Sequence, residues 1–301
     1  MKWKKLGKVY EPNGSSDWCH THAMVPIAEH LYDDIYKIYF SPRDVDNRCH
    51  VAWLIIDLNN PQQILEQAKK PILSPGKLGT FDDSGAMANS IINIGDKKYL
   101  YYQGVNLGVT VPFKNSIGLA ISSDGGETFQ KFSEGPLLDR TYAEPHFCAT
   151  PMILKEDGVY KMWYLSCIRW EPSDNKPKHY YHIKYAESND GIDWDRKGIV
   201  AIDFKNDDEY AIAVPRVIKE DGVYKMWYSY RGNRYRIGYA ESENGINWIR
   251  KDHLAGITVS DSGWDNDMIE YPFIFDHKGL RYMLYNGNGY GKTGFGLAVL
   301  T

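Results

Sequence analysis

Glu270 stands where an acid is unexpected. It follows the apolar pair Met268-Ile269 and precedes Tyr271-Pro272, and an acidic side chain on such an approach is rarely buried without purpose. Other acids precede a proline or its counterpart elsewhere in the sequence: Asp82 and Asp83, Glu144, and Glu209. Histidines keep them company at His20, His22 and His146. Carboxylates grouped with histidines and aromatic rings suit glycosyl transfer. One carboxyl protonates the leaving oxygen while a second activates water, a pair roughly 6.5–9.5 Å apart giving inversion and about 5 Å giving retention. Glu270 and Glu144 lead as that pair, with Glu209 and Asp83 next. Which is the acid depends on which is desolvated enough to raise its pKa. His22, His20, His146, Asp82, Arg216, Trp18 and Tyr271 are the candidate substrate contacts. Each has a plainer role open to it. The histidines would also serve in a packed core, and Asp82 and Asp83 would cap a turn. Glu209 belongs to a solvated acidic run (Asp207-Asp208-Glu209), and Arg216 would make a structural ion pair. His20 and His22, two apart on a strand, would also bind a metal together with Glu144 or His146.

The elements that must position these residues announce themselves by repetition. The same ten residues run from Lys155 to Tyr164 and again from Lys219 to Tyr228, 64 positions on, and Tyr-Ala-Glu-Ser follows each copy at Tyr185–Ser188 and Tyr239–Ser242. Such self-similarity fixes an architecture. Within a unit, Asp157-Gly158 separates an apolar run from an alternating aromatic one, the strongest short-range hairpin signal because both turn residues need positive φ. Alignment on Pro26, Asn89, Pro151, Pro215 and Pro272 gives steps of 63, 62, 64 and 57 residues, hence five units. Radial repetition of four-stranded antiparallel sheets is a β-propeller, whereas a solenoid needs capping repeats, which this sequence lacks. The expectation is therefore an all-β, five-bladed β-propeller, residues 1–301 forming one domain. Met1–Pro12 would be a lead-in strand closing the ring on the last blade. Asp57 to Pro75 reads as a connector with a helical turn after Pro61, and Gly104–Asn115 and Arg169–His179 read as long loops. Alternation along the inner strands puts residues two, four and six before each anchor on one face. That gives Met24, His22 and His20; Met87, Gly85 and Asp83; Ala213, Ala211 and Glu209; and Glu270, Met268 and Asn266. Glu144 and His146 need a bulge to join them.

Composition narrows the partners. A net charge of −4 over 301 residues, with no basic stripe, argues against nucleic acid and against an anionic membrane surface. No apolar run approaches the roughly 18 residues of a membrane span. The basic amino terminus lacks the apolar stretch of a secretion signal, which points to the cytoplasm. Cys19, Cys49, Cys148 and Cys167 lack metal-ligand spacing and read as free thiols. No cofactor is expected, and the oligomeric state is left open.

The turns Ser122–Phe129, Ser188–Trp194 and Ser242–Trp248 resemble the Asp-box turn of sialidase-type propellers, a structural device. With the five units and the Asp-Gly turns among them, they make the sequence resemble the five-bladed glycoside hydrolases and phosphorylases, the arabinanase, invertase and β-mannoside phosphorylase relatives. Its connector is similar to that of the mannoside phosphorylases. Gly263-Trp264-Asp265, Glu270-Tyr271-Pro272 and Tyr285–Gly291 resemble the last blade of members linked to sugar-polymer biosynthesis. The resemblance implies a propeller acting on a sugar, oligosaccharide or sugar nucleotide. Arabinanase and invertase relatives place acids directly before the anchor in blades one and three and a Glu-x-Pro in blade four. Here those positions are Val25, Thr150 and Ala213, and the anchor Glu-x-Pro is that of Glu270 in blade five. The first reading is an enzyme cleaving a glycosidic or sugar-nucleotide bond, by hydrolysis with inversion. A non-catalytic carbohydrate-binding propeller is the second, and a metal-dependent enzyme built on His20 and His22 the third.

Overall fold

The computed structural model describes residues 1–174 and 176–301; Asn175, inside the expected loop Arg169–His179, lies outside the described residues. Strand β1 (Trp3–Tyr10) comes first. Blade 1 is then β2–β5 (Thr21–Tyr32, Ile35–Arg43, Ala52–Asp57, Ile64–Gln67) and blade 2 is β6–β9 (Gly85–Ile94, Lys97–Leu107, Phe113–Ser122, Gln130–Lys131). Blade 3 is β10–β13 (Cys148–Glu156, Val159–Glu171, Lys178–Ser188, Asp195–Ile202). Blade 4 is β14–β17 (Ala211–Glu220, Val223–Arg231, Tyr235–Ser242, Ile249–Arg250), and blade 5 supplies β18–β20 (Glu270–His277, Leu280–Asn286, Phe295–Leu300). β1 completes blade 5 by pairing antiparallel with β20, Trp3 opposite Leu300. This is the expected five-bladed, four-stranded antiparallel architecture, with the lead-in strand as its clasp. A single parallel pair, Tyr181 with Ala211, joins the sheets of blades 3 and 4.

The repeated Asp-Gly pairs form two-residue hairpins. Asp157 and Gly158 (φ 50° and 83°) and Asp221 and Gly222 (φ 51° and 81°) all take the left-handed region that lets the turn follow the strand twist. The Asp-box-like turns are tied by Ser122, Ser188 and Ser242, whose hydroxyls accept the amides of Gly126, Gly191 and Gly245. The expected connector is only partly a connector. Its middle is β5, pairing Gln67 with Leu54, so no helical turn follows Pro61. A blade needs a fourth strand, and this short, exposed one carried too weak an alternation to be recognised.

Five apolar clusters fill the five blade interfaces, typified by Phe40 with Phe295, Ile27 with Ala88, Tyr101 with Ile153, Trp163 with Val217, and Trp227 with Ile269. Toward the axis, each inner strand carries one extra residue at its anchor, a bulge that bends the strand and re-aims its side chains. Val25, Thr150, Val214 and Tyr271 are forced there into φ of 51°, 44°, 49° and 55°, a strain of about 1–3 kcal/mol each. A ring of inter-blade hydrogen bonds holds these turns. The amides of Val25, Ala88, Ile153, Val214 and Tyr271 donate to the side chains of Asn286, Ser41, Ser90, Thr150 and Ser229 at 2.9, 3.0, 3.1, 3.2 and 2.8 Å. One such bond crosses each interface, so the ring around the axis is complete.

Candidate active site

At the axis a sixth cluster includes Met24, Phe147, Ala213 and Met268, with Met87, Tyr271 and Tyr290 packed against it, so that every blade contributes. Glu270 lies beside it, fully buried, on β18 opposite Asn286. Neither carboxyl oxygen has a hydrogen-bond partner. Burial pushes its carboxyl well above the usual range, against a smaller downward pull from the Arg231 guanidinium and the Tyr290 amide. Burial of this kind favours the neutral, protonated form of the acid.

Phenols and cations from other blades surround it. The hydroxyls of Tyr181 and Tyr235 share a hydrogen bond of 2.5 Å. Arg231 donates to the Tyr290 hydroxyl at 2.7 Å and spreads over the rings of Tyr210 and Tyr235, 4.9 and 5.4 Å from their centroids. Burial drives the Tyr271 phenol up, and the Glu270 carboxyl adds to that, while Arg43 opposes. His22, half-buried with φ 59°, sits 3.0 Å from the Thr21 hydroxyl. Burial, then Arg43 and Lys292, lower it to about 4. Arg43 itself reaches Asn47 at 3.0 Å and the Met24 sulfur at 3.7 Å. The turn Asn288–Gly291 forms one rim, held by Asn286, whose amide donates to the carbonyls of Ala23 at 2.6 Å and Gly294 at 3.0 Å.

The other predicted acids, and Asp265 at the matching place in blade 5, are placed differently. The Glu144 carboxylate accepts from Tyr164 at 3.0 Å and Ser166 at 3.3 Å and lies 3.4 Å from Lys184 and 3.6 Å from Arg196. Asp82 accepts from Tyr102 at 2.8 Å and pairs with Lys131 at 2.6 Å. Asp265 accepts from Tyr285 at 3.0 Å and pairs with Lys5 at 2.6 Å. Glu209 takes both terminal nitrogens of Arg250, at 2.7 and 2.9 Å, and Arg250 also bridges to Asp252, the acceptor of the Tyr228 hydroxyl. Each is a lock joining the approach to an inner strand, the second strand's tyrosine and a cation from the outer strands of the same blade. In blade 1, Phe40 and His20 occupy the tyrosine and acid positions, and the His20 Nδ1 is buried without a partner. Asp83 closes a turn through the Gly79 amide, Ser84 and Asn106, at 3.0, 2.8 and 2.8 Å. His146 is half-buried just after the Glu144 lock.

Arg216 is 3% exposed and has no ion-pair partner among the described residues, against the expected structural pairing. Its Nη1 approaches the Met152 sulfur at 3.8 Å and its guanidinium lies 5.3 Å from the Phe273 ring centroid, while burial lowers it to about 9. Trp18 lines an off-axis cavity of about 510 Å³ with Trp53, Phe40 and Glu66, and a second of about 590 Å³ lies beside Asp82 and Lys131. Among the described residues no three His, Cys, Asp or Glu side chains group for a metal, so His20 and His22 lack the further ligand that the metal reading needs. No helix is long and apolar enough to cross a membrane. All four cysteines are free and buried.

The structure therefore brings Glu270, Tyr271 and His22 to the channel and holds Glu144, Glu209 and Asp82 within their own blades. Arg231, Tyr181, Tyr235 and Tyr290 were missed from the sequence. The dense run Tyr230–Arg236, with three arginines in seven residues, was the available signal.

No family model matches the sequence. It is 45% identical over 300 residues to Uncharacterized protein Rv1502 of Mycobacterium tuberculosis (strain ATCC 25618 / H37Rv), covering 100% of the present sequence and 99% of that relative. A 1,2-beta-oligomannan phosphorylase of Thermoanaerobacter sp. (strain X514) is 27% identical over 201 residues, 65% of the present sequence and 62% of its own. Among solved structures, a glycoside hydrolase superposes with a TM-score of 0.74 at 15% identity, covering 98% of the present protein and 90% of its own length. A thermostable family-43 glycoside hydrolase gives 0.68 at 18% identity over 95% and 91%. At such identities these two likenesses establish the fold.

Proposed function

This protein belongs to the family of mycobacterial Rv1502, whose fold is the five-bladed propeller of the glycoside hydrolase and phosphorylase superfamily, and from that premise we propose an enzyme cleaving a glycosidic or sugar-nucleotide bond at the channel mouth. The observation that carries the reading is Glu270: a fully buried carboxyl with two unpartnered oxygens, whose protonated form is favoured by desolvation. A general acid needs that state, since it must give its proton to the leaving oxygen. The locks hold Glu144, Glu209 and Asp82 against cations and hydroxyls, so we assign them to blade structure and Asp83 to its turn. For hydrolysis with inversion, the remaining base is His22. At about 4 it is neutral at pH 7 and has the basicity of an ordinary carboxylate, enough to take a proton from water as the bond breaks.

The test is turnover by Glu270→Gln, which keeps shape and loses the acidic proton. Activity should fall about 10²–10⁴-fold while substrate affinity holds. Undiminished turnover would remove Glu270 from the mechanism. A sugar-binding propeller without catalysis is the second reading, favoured by the engagement of the other acids in locks. It predicts affinity without turnover in both the wild type and the variant.

A further inference from the structure

Of the eleven arginines in the sequence, seven hold a carboxylate within 4 Å: Arg48, Arg140, Arg169, Arg196, Arg234, Arg250 and Arg281. Arg43 and Arg231 hold none among the described residues, and both are half-buried at the channel mouth. Both touch the axial cluster, Arg43 at the Met24 sulfur 3.7 Å away and Arg231 at the Tyr290 hydroxyl 2.7 Å away. Arg231 pulls on Glu270, while Arg43 pulls on Tyr271 and His22. Lys292, exposed on the rim, reinforces Arg43 at His22. The acids that face this basin do not balance it. Burial favours the neutral form of Glu270, and Asp267 is exposed and already paired with Arg234 at 2.8 Å. A protein of net charge −4 thus sets two arginines without carboxylate partners against the axial cluster, among tyrosine and tryptophan rings. Low-dielectric walls focus such a field and draw in an anion.

We propose that the site takes a sugar carrying a covalently attached oxyanion, held between Arg43 and Arg231 while the ring lies over the tyrosines. This rests on the reading of the channel mouth as the substrate site. Guanidinium forks match carboxylate and phosphate oxygens through paired charge-assisted hydrogen bonds, and the phenol rings supply apolar faces for a pyranose. The arrangement also serves the chemistry. A negative substituent near Glu270 opposes its ionisation, so binding keeps the acid protonated up to the moment of proton transfer.

The experiment is calorimetric titration of the intact protein with four probes: D-glucuronate, glucose 1-phosphate, D-glucose and inorganic phosphate. One or both of the first two should bind at least tenfold more tightly than glucose and than inorganic phosphate, and which one binds identifies carboxylate or phosphate as the oxyanion. Arg43→Gln and Arg231→Gln should each lower that affinity about 10–100-fold. Their melting temperatures should stay near the wild type's, because neither change strands a carboxylate. Glucose binding as well as the charged sugars would overturn the proposal. So would inorganic phosphate matching glucose 1-phosphate, since the anion would then be a separate reactant. The catalytic reading fails separately: arginine-dependent binding of a charged sugar, with Glu270→Gln fully active, would sink the acid assignment and leave this proposal standing.

Discussion

His22 and His179 are set among cations and apolar groups, and this has a measurable consequence in mild acid. His179 stacks on Tyr181 with centroids 4.9 Å apart and meets Trp170 edge-on at 5.3 Å. Burial first, then Arg231 and Lys178, bring it to about 4, and His22 is at the same value. Unfolded, both return to about 6.5. Between about pH 6.5 and pH 4 the unfolded state therefore binds protons that the folded one refuses, and stability falls as pH falls through that window. Glu270 has the opposite sign: its raised carboxyl is most favourable in acid, and it loses stability as pH rises above the usual carboxylate range. Urea denaturation at pH 7 and pH 4.5 should show a loss of about 1–2 kcal/mol per histidine after solvent screening. His179→Phe should remove about half of the difference and leave the share of His22, and an unchanged profile in that variant would refute the assignment. Glu270 was legible in the sequence because an acid in an apolar run is locally anomalous. Arg231, Tyr181 and His179 were harder to place, because the contacts that bring them to the site cross blades: Arg231 to Tyr290, Tyr181 to Tyr235, and His179 to Arg231.

Each blade lock turns a run of irregular approach into a fixed entry to the inner strand. Asp82 with Tyr102, Glu144 with Tyr164 and Asp265 with Tyr285 are each 20 residues apart, so a spacing signal was present in the sequence. The alternation used to group the acids failed for a physical reason. Asp82, Asp83, Glu144 and Glu209 precede the first residues of β6, β10 and β14, where an extended strand's period of two does not apply, and the bulge at each anchor shifts the count again. The hairpins and the five units were legible because Asp-Gly turns and repeated sequence are local features. The lock predicts that Tyr164→Phe, which removes a 3.0 Å hydrogen bond to buried Glu144, costs about 1–2 kcal/mol. Phe40→Tyr in blade 1 should bring no such gain, since no carboxylate lies at the matching position there. Chemical denaturation of the two variants beside the wild type decides it. A neutral Tyr164→Phe would mean that Ser166, Lys184 and Arg196 suffice for Glu144.

A ring of blades is only as closed as its last sheet, and here that sheet is completed by the first strand in the sequence. β1 covers β20, which would otherwise present an unpaired edge. It also brings Lys5 to the buried Asp265 carboxylate at 2.6 Å and seats Trp3 against Trp227, the indole N–H donating to the Ala255 carbonyl at 2.9 Å. Loss of β1 removes ladder bonds, apolar burial and the cation of a buried pair together, and stranding a buried charge is the costliest of these. Trp3→Ala alone should cost about 3–5 kcal/mol. Deletion of residues 2–10 should lower the melting temperature sharply and broaden the transition, because blade 5 would no longer be held to the rest by a complete sheet. The effect should reach the channel as well, since Glu270 and Tyr271 sit on β18 of the same blade and Asn286 ties that blade to the Val25 amide. A synthetic peptide of residues 2–10 added in trans should recover part of the melting temperature, which nonspecific damage would not allow. Were the deletion to leave melting and ligand binding intact, closure would rest on the apolar interface between blades 5 and 1, and the first strand would be an accessory to a ring already shut.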